Sequence, residues 1–231
     1  MTDKKEHNEL DLDKTLAATT HKVENFYHNN KKQINYAIVG VLAILALYVG
    51  FTKFYLSPLE TEAQRESFAA QRYFDMDSFN LALNGNDQIT GFETISDEYG
   101  LTKMGNLAHY YAGICNLRLG NFEAAIDHLE SFSTGNKLVG PLAEGALGDA
   151  YVETGDLDKG VKHYIAAAKM SKNKLTAPVF YKKAGQVYEE QKEYGRALDM
   201  YETIKKDFAD AQEAQDIDKY IARAKAMESA E

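Results

Sequence analysis

PLAEGALGDAYVETGDLDKGVKHYIAA, residues 141–167, is matched by a similar stretch on either side of it. Asn106 begins NLAHYYAGICNLRLGNFEAAIDHLESF and Pro178 begins PVFYKKAGQVYEEQKEYGRALDMYETI. Aligned, the three place Gly113, Gly148 and Gly185 at one position, spaced by 35 and 37 residues. The same offsets superpose Phe122, Leu157 and Tyr194, then Ala125, Gly160 and Ala197, then Leu129, Tyr164 and Tyr201. Each copy reads as two helices around a tight turn, such as Leu119-Gly120-Asn121 or Thr154-Gly155-Asp156, where glycine accepts the left-handed backbone that ends a helix. The small residue at Gly113, Gly148 and Gly185 is expected to admit the second helix of its pair closely. The large residues are expected to fill the space between neighbouring units. No single unit can bury its apolar face, so stacking supplies the core. Pro141 and Pro178 stand at the first position of a copy, where a missing amide hydrogen costs little.

A period near 34 residues, with small and aromatic residues at matched places, resembles the tetratricopeptide repeat (TPR). The fold expected is all-α: a right-handed solenoid of paired helices. Residues 106–210 hold three clear repeats. Upstream, 57–105 reads as a linker helix and a degenerate first repeat. PLETEAQRESFAAQRYFDMDSFNLAL reads as helical, with Phe68, Tyr73 or Arg72, Met76, Phe79 and Leu83 recurring at helical spacing. A turn at Asn84–Asp87 and a second helix over ITGFETISDEYG follow, with Gly91 and Ile95 in the places of Ala125 and Leu129. Residues 211–231 carry Ile217, Tyr220, Ile221 and Ala224 at helical spacing and read as a capping helix.

Ahead of the repeats, Gln33 to Thr52 is uncharged, with AIVGVLAILALYVGF at its heart. Twenty helical residues reach about 30 Å, the thickness of a hydrocarbon core. Lys31 and Lys32 bound the run on one side and Lys53 on the other, with Tyr36, Tyr48, Phe54 and Tyr55 as interfacial aromatics. Residues 33–56 therefore read as a transmembrane helix, ended by Ser57-Pro58. It is expected to be a retained anchor, because the preceding region is long and no small-x-small cleavage site follows. The Lys31-Lys32 pair favours a cytoplasmic N-terminus and an external repeat domain, which in a bacterium means the periplasm. The tail, residues 1–32, balances six lysines against six acids. A short amphipathic helix around Leu12, Leu16, Val23 and Phe26 is conceivable there, and the first ten or so residues have the composition of disorder.

Chemistry has little to stand on. No GxSxG, HExxH, Walker loop or dinucleotide glycine pattern is present, so neither catalysis nor a cofactor is expected. Cys115 is the one cysteine, which excludes an intrachain disulfide and reads as a small core residue. His128 and His163 occupy equivalent positions and are expected to face solvent as relics of repeat ancestry rather than to bind metal. From Phe54 onward there are 19 Lys+Arg against 29 Asp+Glu. That acidity disfavours nucleic acid and argues against contact with anionic lipid.

Protein binding is the better reading. In TPR domains the first helix of each pair lines a concave groove, and the register carries that groove onto named positions here. They are Leu107, Tyr110, Ile114, Leu117 and Arg118; then Leu142, Gly145, Asp149, Val152 and Glu153; then Val179, Lys182, Gln186, Glu189 and Glu190. The surface so drawn is apolar at the membrane-proximal end and acidic at the far end, suited to a partner helix or unfolded segment. The competing reading packs Leu107, Ile114 and Leu117 onto the degenerate repeat. The Lys/Asn clamp by which chaperone-tail-binding TPRs hold a terminal carboxylate is missing, since its places read Tyr110, Ile114, Gly145 and Asp149.

A short tail, one span and a small TPR domain, with the wording LAHYYAG, LRLGNFEAAIDHLE and PLAEGALGDAYVETGDLDKG, resembles the YfgM-like ancillary subunits of the SecYEG translocon in their Bacteroidota form. The resemblance covers about residues 30–210. It implies an inner-membrane protein whose repeats contact translocon subunits, a membrane-anchored chaperone or prolyl isomerase, and secreted clients. The function expected is a non-catalytic adaptor; the alternative is a scaffold subunit that assembles an envelope complex without touching clients.

Overall fold

The computed structural model describes Tyr27 and residues 29–230, and by contacts it divides at Ser57/Pro58 into two units. The tail helix conceived around Leu12–Phe26 lies outside the described residues. In the first unit, residues 29–51 form α1, so helix begins ahead of Gln33. The helical run Asn29–Asp75 contains a window of mean hydropathy 2.2 with none of it buried, long and apolar enough to cross a membrane.

Ser57-Pro58 does not stop the helix as expected. Thr52–Leu56 is a π-helical turn, closed by the Ser57 amide donating to the Thr52 carbonyl, and Ser57 and Pro58 begin α2 (Ser57–Asp75). A proline removes one amide and crowds the preceding turn. A π-turn directly before it is one way a helix absorbs that mismatch.

The second unit continues with α3 (Phe79–Asn84), a two-residue hairpin pairing β1 (Gly85–Asn86) with β2 (Ile89–Thr90), and α4 (Phe92–Glu98). The helical stretch expected across 59–83 is thus interrupted: Asp77 adopts φ 55° between α2 and α3. Of the large residues at helical spacing, Tyr73, Phe79 and Leu83 join the core and Phe68 and Met76 do not. Ala63, Ser67 and Ala70 are buried, with Leu59, Tyr73 and Phe74 beside them, while Phe68 is 70% exposed and Met76 is exposed. Small side chains rather than large ones face inward, which permits close approach. Gly91 sits where the chain crosses itself, since a β-carbon there would collide with the Leu83 carbonyl. Ile95 is wholly buried, as Leu129 nearly is.

Three helix pairs follow: α5 (Lys103–Leu119) with α6 (Phe122–Ser131), α7 (Val139–Glu153) with α8 (Leu157–Met170), and α9 (Ala177–Glu190) with α10 (Tyr194–Asp207). A 3-10 turn (Gln212–Ala214) leads to α11 (Ile217–Glu228), which packs on α10. The glycines do close the pairs. A β-carbon at Gly113 would lie 2.6 Å from Leu129 Cγ, and one at Gly148 2.5 Å from Tyr164 Cδ1; Gly185 meets the Tyr201 ring in the same way. Leu129, Tyr164 and Tyr201 therefore first fill space inside their own unit. They reach the next unit as well: Tyr164 stacks on Phe180 at 6.4 Å and Tyr201 meets Tyr220 at 5.4 Å. The core runs along the stack as three successive clusters rather than one centre.

Polar contacts repeat with the period. Lys183–Asp149, Lys182–Asp216 and Arg223–Glu189 each join residues 34 apart, and Gln191 donates to Asp158 33 residues away. Ahead of them, the Glu60 carboxylate accepts from the Lys103 amide (2.6 Å) and the Met104 amide (3.4 Å). A carboxylate at the first turn of α5 complements its dipole and fastens α2 to the solenoid.

Candidate binding groove

The concave side of α5, α7 and α9 holds an open cavity of about 760 Å³. Tyr110, Ile114, Leu117, Leu142, Val152 and Val179 give it an apolar floor, and Arg118, Asp149, Glu153 and Lys183 supply charge. The i, i+4, i+7 spacing of Tyr110, Ile114 and Leu117 puts them on one stripe of α5. Phe180 and Tyr164 complete the wall.

Of the fifteen positions carried over by register, the structure brings together Tyr110, Ile114, Leu117, Arg118, Leu142, Asp149, Val152, Glu153 and Val179 around this cavity. Leu107 packs partly buried against the cluster of the first helices. Lys182 and Glu189 turn toward α11 instead: Lys182 pairs with Asp216 at 2.8 Å and lies 4.4 Å from the Tyr220 ring centre, and Glu189 pairs with Arg223. Gln186 is exposed and stands apart from the lining. Gly145, drawn in the groove by register, lies beneath the Phe180 ring.

The far end is less acidic than the register suggests. Asp149 accepts from Lys183 Nζ at 2.5 Å and from the Tyr164 hydroxyl at 2.6 Å, so its charge is compensated in place. Burial, then the nearby Asp149 charge and its hydrogen bond, hold the Tyr164 phenol well above its ordinary value. Lys183 was missed because superposition by the 37-residue offset pairs Asp149 with Gln186; the 34-residue step between first helices would have found it. Tyr151 lies on the other side of α7, stacked on His163 at 5.1 Å and donating to Glu130.

The histidines are not the solvent-facing relics expected. His163 Nδ1 lies 2.9 Å from Glu144, and the side chains of His128 and His163 are 12% and 20% exposed. His128 Nδ1 meets His109 Nδ1 at 3.1 Å, and its Nε2 meets Glu93 at 3.0 Å. Glu144 occupies the place of His109 one repeat on, so both pairs tie the two helices of a unit together. A neutral His128 that donates from Nε2 to Glu93 must accept at Nδ1 from His109.

Burial first, and the adjoining His128 second, push the His109 pKa below its ordinary value, against the opposing charges of Asp97 and Glu93. As pH falls, the unfolded chain then takes up this proton before the folded one does. The stability contributed above pH about 6.5 is lost as pH drops from there toward the lower folded value. The urea midpoint should fall between pH 7 and pH 5, and less so in His109→Asn; an identical fall in both would remove His109 as the cause.

Cys115 is fully buried and burial raises its thiol to about 12. Among the described residues no three His, Cys, Asp or Glu side chains are placed to hold a metal ion.

Residues 146–214, from within α7 to the 3-10 turn before α11, match the family model for the tetratricopeptide repeat. No curated protein matches the chain. Among solved structures it is similar to the crystal structure of the nearly identical TPR-like repeats of a candidate kinesin light chain from Podosopora anserina. The TM-score is 0.53 and the identity 12%, over 74% of this chain and 88% of that one, which shows the fold alone. Residues 146–214 thus read as tetratricopeptide repeats, and the chain is an all-helical TPR-like solenoid with, among the described residues, one N-terminal helix long and apolar enough to span a membrane.

Proposed function

We propose that this chain is a non-catalytic, membrane-anchored adaptor that presents its concave groove to segments of other proteins. The observation that carries the reading is the open groove between α5, α7 and α9, with an apolar floor and a charged rim. Such a surface suits a helix or extended segment that buries two or three apolar side chains. The resemblance to YfgM-like proteins supports the finer assignment: an inner-membrane protein with a cytoplasmic N-terminus and periplasmic repeats, acting between translocon subunits, a membrane-anchored chaperone and secreted clients. The lysine pair beside the apolar run supports that orientation.

The rival is a scaffold subunit that assembles an envelope complex by lateral stacking of its repeats without touching clients. On α11, Asp218 and Lys225 pair with Lys205 and Glu202 of α10, and Lys219 is exposed, so charged side chains flank the contact that ends the stack.

A photocrosslinker at Val152 of the full chain in native membranes tests the adaptor reading. Capture of translocon subunits, a membrane-anchored chaperone or secreted chains is expected. Arg118→Glu with Leu142→Glu should lower that capture by about tenfold or more, the size of a lost interface hot spot. Unchanged capture by the double variant removes the groove from the function. Capture of cytoplasmic proteins alone inverts the topology.

A further inference from the structure

The edge of the solenoid formed by the loops between repeats carries features that protein binding in the groove does not use. Four contacts join these loops into one row. Glu60 in the first turn of α2 holds the Lys103 amide, and Asn106 Nδ2 donates to the Ser133 carbonyl at 2.9 Å. Asn173 Nδ2 donates to the Lys137 carbonyl at 3.5 Å, and Lys174 pairs with Asp210 at 2.6 Å. The chain therefore enters its repeat domain at one end of this row.

Each of three successive loops presents a leucine to solvent: Leu101 is 69% exposed, Leu138 48% and Leu175 75%. An apolar residue just before an N-cap normally packs on the helix as a staple. Leu101 precedes the N-cap Thr102 and Leu175 precedes the N-cap Thr176, yet neither is packed. Asn136 and Asn173 hold the second and third loops in the same way, each accepting from the leucine amide two residues on at 2.8 Å. A single exposed leucine is ordinary; one per loop in a tied row is a pattern.

Cations accompany the leucines. Lys103, Lys137 and Lys172 are exposed beside them, and residues 132–138 and 171–176 contain no acid, in a domain whose acids outnumber its bases. The acidic last loop has Asp210 and Asp216 paired to Lys174 and Lys182. Leucines flanked by lysines suit the headgroup layer of an anionic bilayer. Glu60 lies eight residue steps after Thr52, the end of the uncharged run, so the chain between them spans less than about 30 Å in any conformation.

We propose that this inter-repeat edge rests on an anionic lipid surface, holding the groove at a defined attitude to the membrane; the inference rests on the anchor reading above. The test uses the full chain in vesicles containing phosphatidylglycerol and bromine-labelled acyl chains. Leu138→Cys, Leu175→Cys and, at the turn inside a repeat, Thr154→Cys each carry an environment-sensitive fluorophore; the buried Cys115 does not compete for label. Quenching at 138 and 175 should exceed that at 154 by about threefold or more. It should fall in phosphatidylcholine vesicles, and by about fivefold in the docking equilibrium for each of Lys137→Gln and Lys172→Gln.

Equal quenching at all three sites in protein that floats with the vesicles overturns the proposal while leaving the anchor intact. Equal quenching in the two lipids overturns the anionic assignment, and a blue-shifted but unquenched label indicates protein rather than lipid at this edge. Failure to float with vesicles overturns the anchor reading itself and this inference with it.

Discussion

Gly145→Ala should lower the stability of the repeat domain by about 2 kcal/mol or more, although alanine is the better helix former by about 1 kcal/mol. Gly145 is in the middle of α7, and its missing β-carbon is replaced by the edge of the Phe180 ring from α9. That ring is 5% exposed and stacks on Tyr164 with an interplanar angle of 14°. Tyr164 in turn lies against Gly148 of the same helix. The two rings and two glycines interlock, so Phe180 is held between Gly145 and Tyr164 and can withdraw only by breaking its stack on Tyr164 or by shifting α9 and the groove wall that Phe180 forms. Phe180→Leu should recover part of the loss in the double variant, because the two sites couple through direct contact. Denaturant midpoints of the four chains measure this. A Gly145→Ala chain as stable as the parent would mean that the α7–α9 contact relaxes at no cost.

Tyr201 offers the second large effect, and one that changes sign with the substitution. Its side chain, projecting from α10, is fully buried between Gly185 of α9 and Tyr220 of α11. Tyr201→Ala should cost about 3–5 kcal/mol, the range for deleting a large buried ring. The hydroxyl lies near the Glu189–Arg223 pair but makes no hydrogen bond of normal geometry. Burying a hydroxyl without a partner is unfavourable, so Tyr201→Phe should raise stability by up to about 1 kcal/mol. The equivalent Tyr164 is the control: its hydroxyl donates to Asp149, and Tyr164→Phe should cost about 1–2 kcal/mol. If both phenylalanine variants shift the melting curve in the same direction, the distinction between the two hydroxyls is wrong.

Net charge proved a poor guide to where the charge lies. Ten more acids than bases from Phe54 onward argue against anionic lipid as long as they are taken as one sum. Lys103, Lys137 and Lys172 already stand within three residues of Leu101, Leu138 and Leu175 in the sequence, and folding ties those loops into one row. The histidines teach the same lesson: equivalence of His128 and His163 is visible in the letters, but their partners Glu93, His109 and Glu144 become neighbours only when helices pair.

What the sequence by itself determined is whatever depends on short range and on repetition. Matched glycines at 113, 148 and 185 imply three helix pairs, because a missing side chain must be answered by a large one at a constant offset, and Leu129, Tyr164 and Tyr201 answer it. The apolar run needs only length and composition to be legible. Tertiary structure decided what depends on one helix meeting another. It turned Lys182 and Glu189 toward α11 and Lys183 toward Asp149, since a helix of 3.6 residues per turn gives neighbouring lysines different faces. It set Lys192 at φ 62° in the turn where the first two repeats have Gly120 and Gly155, so packing of α9 on α10 imposes a left-handed residue without a glycine to mark it. It also chose the small face of α2 over Phe68. Periodicity names the stripes on a helix, and only the neighbour that fits one of them selects which is buried.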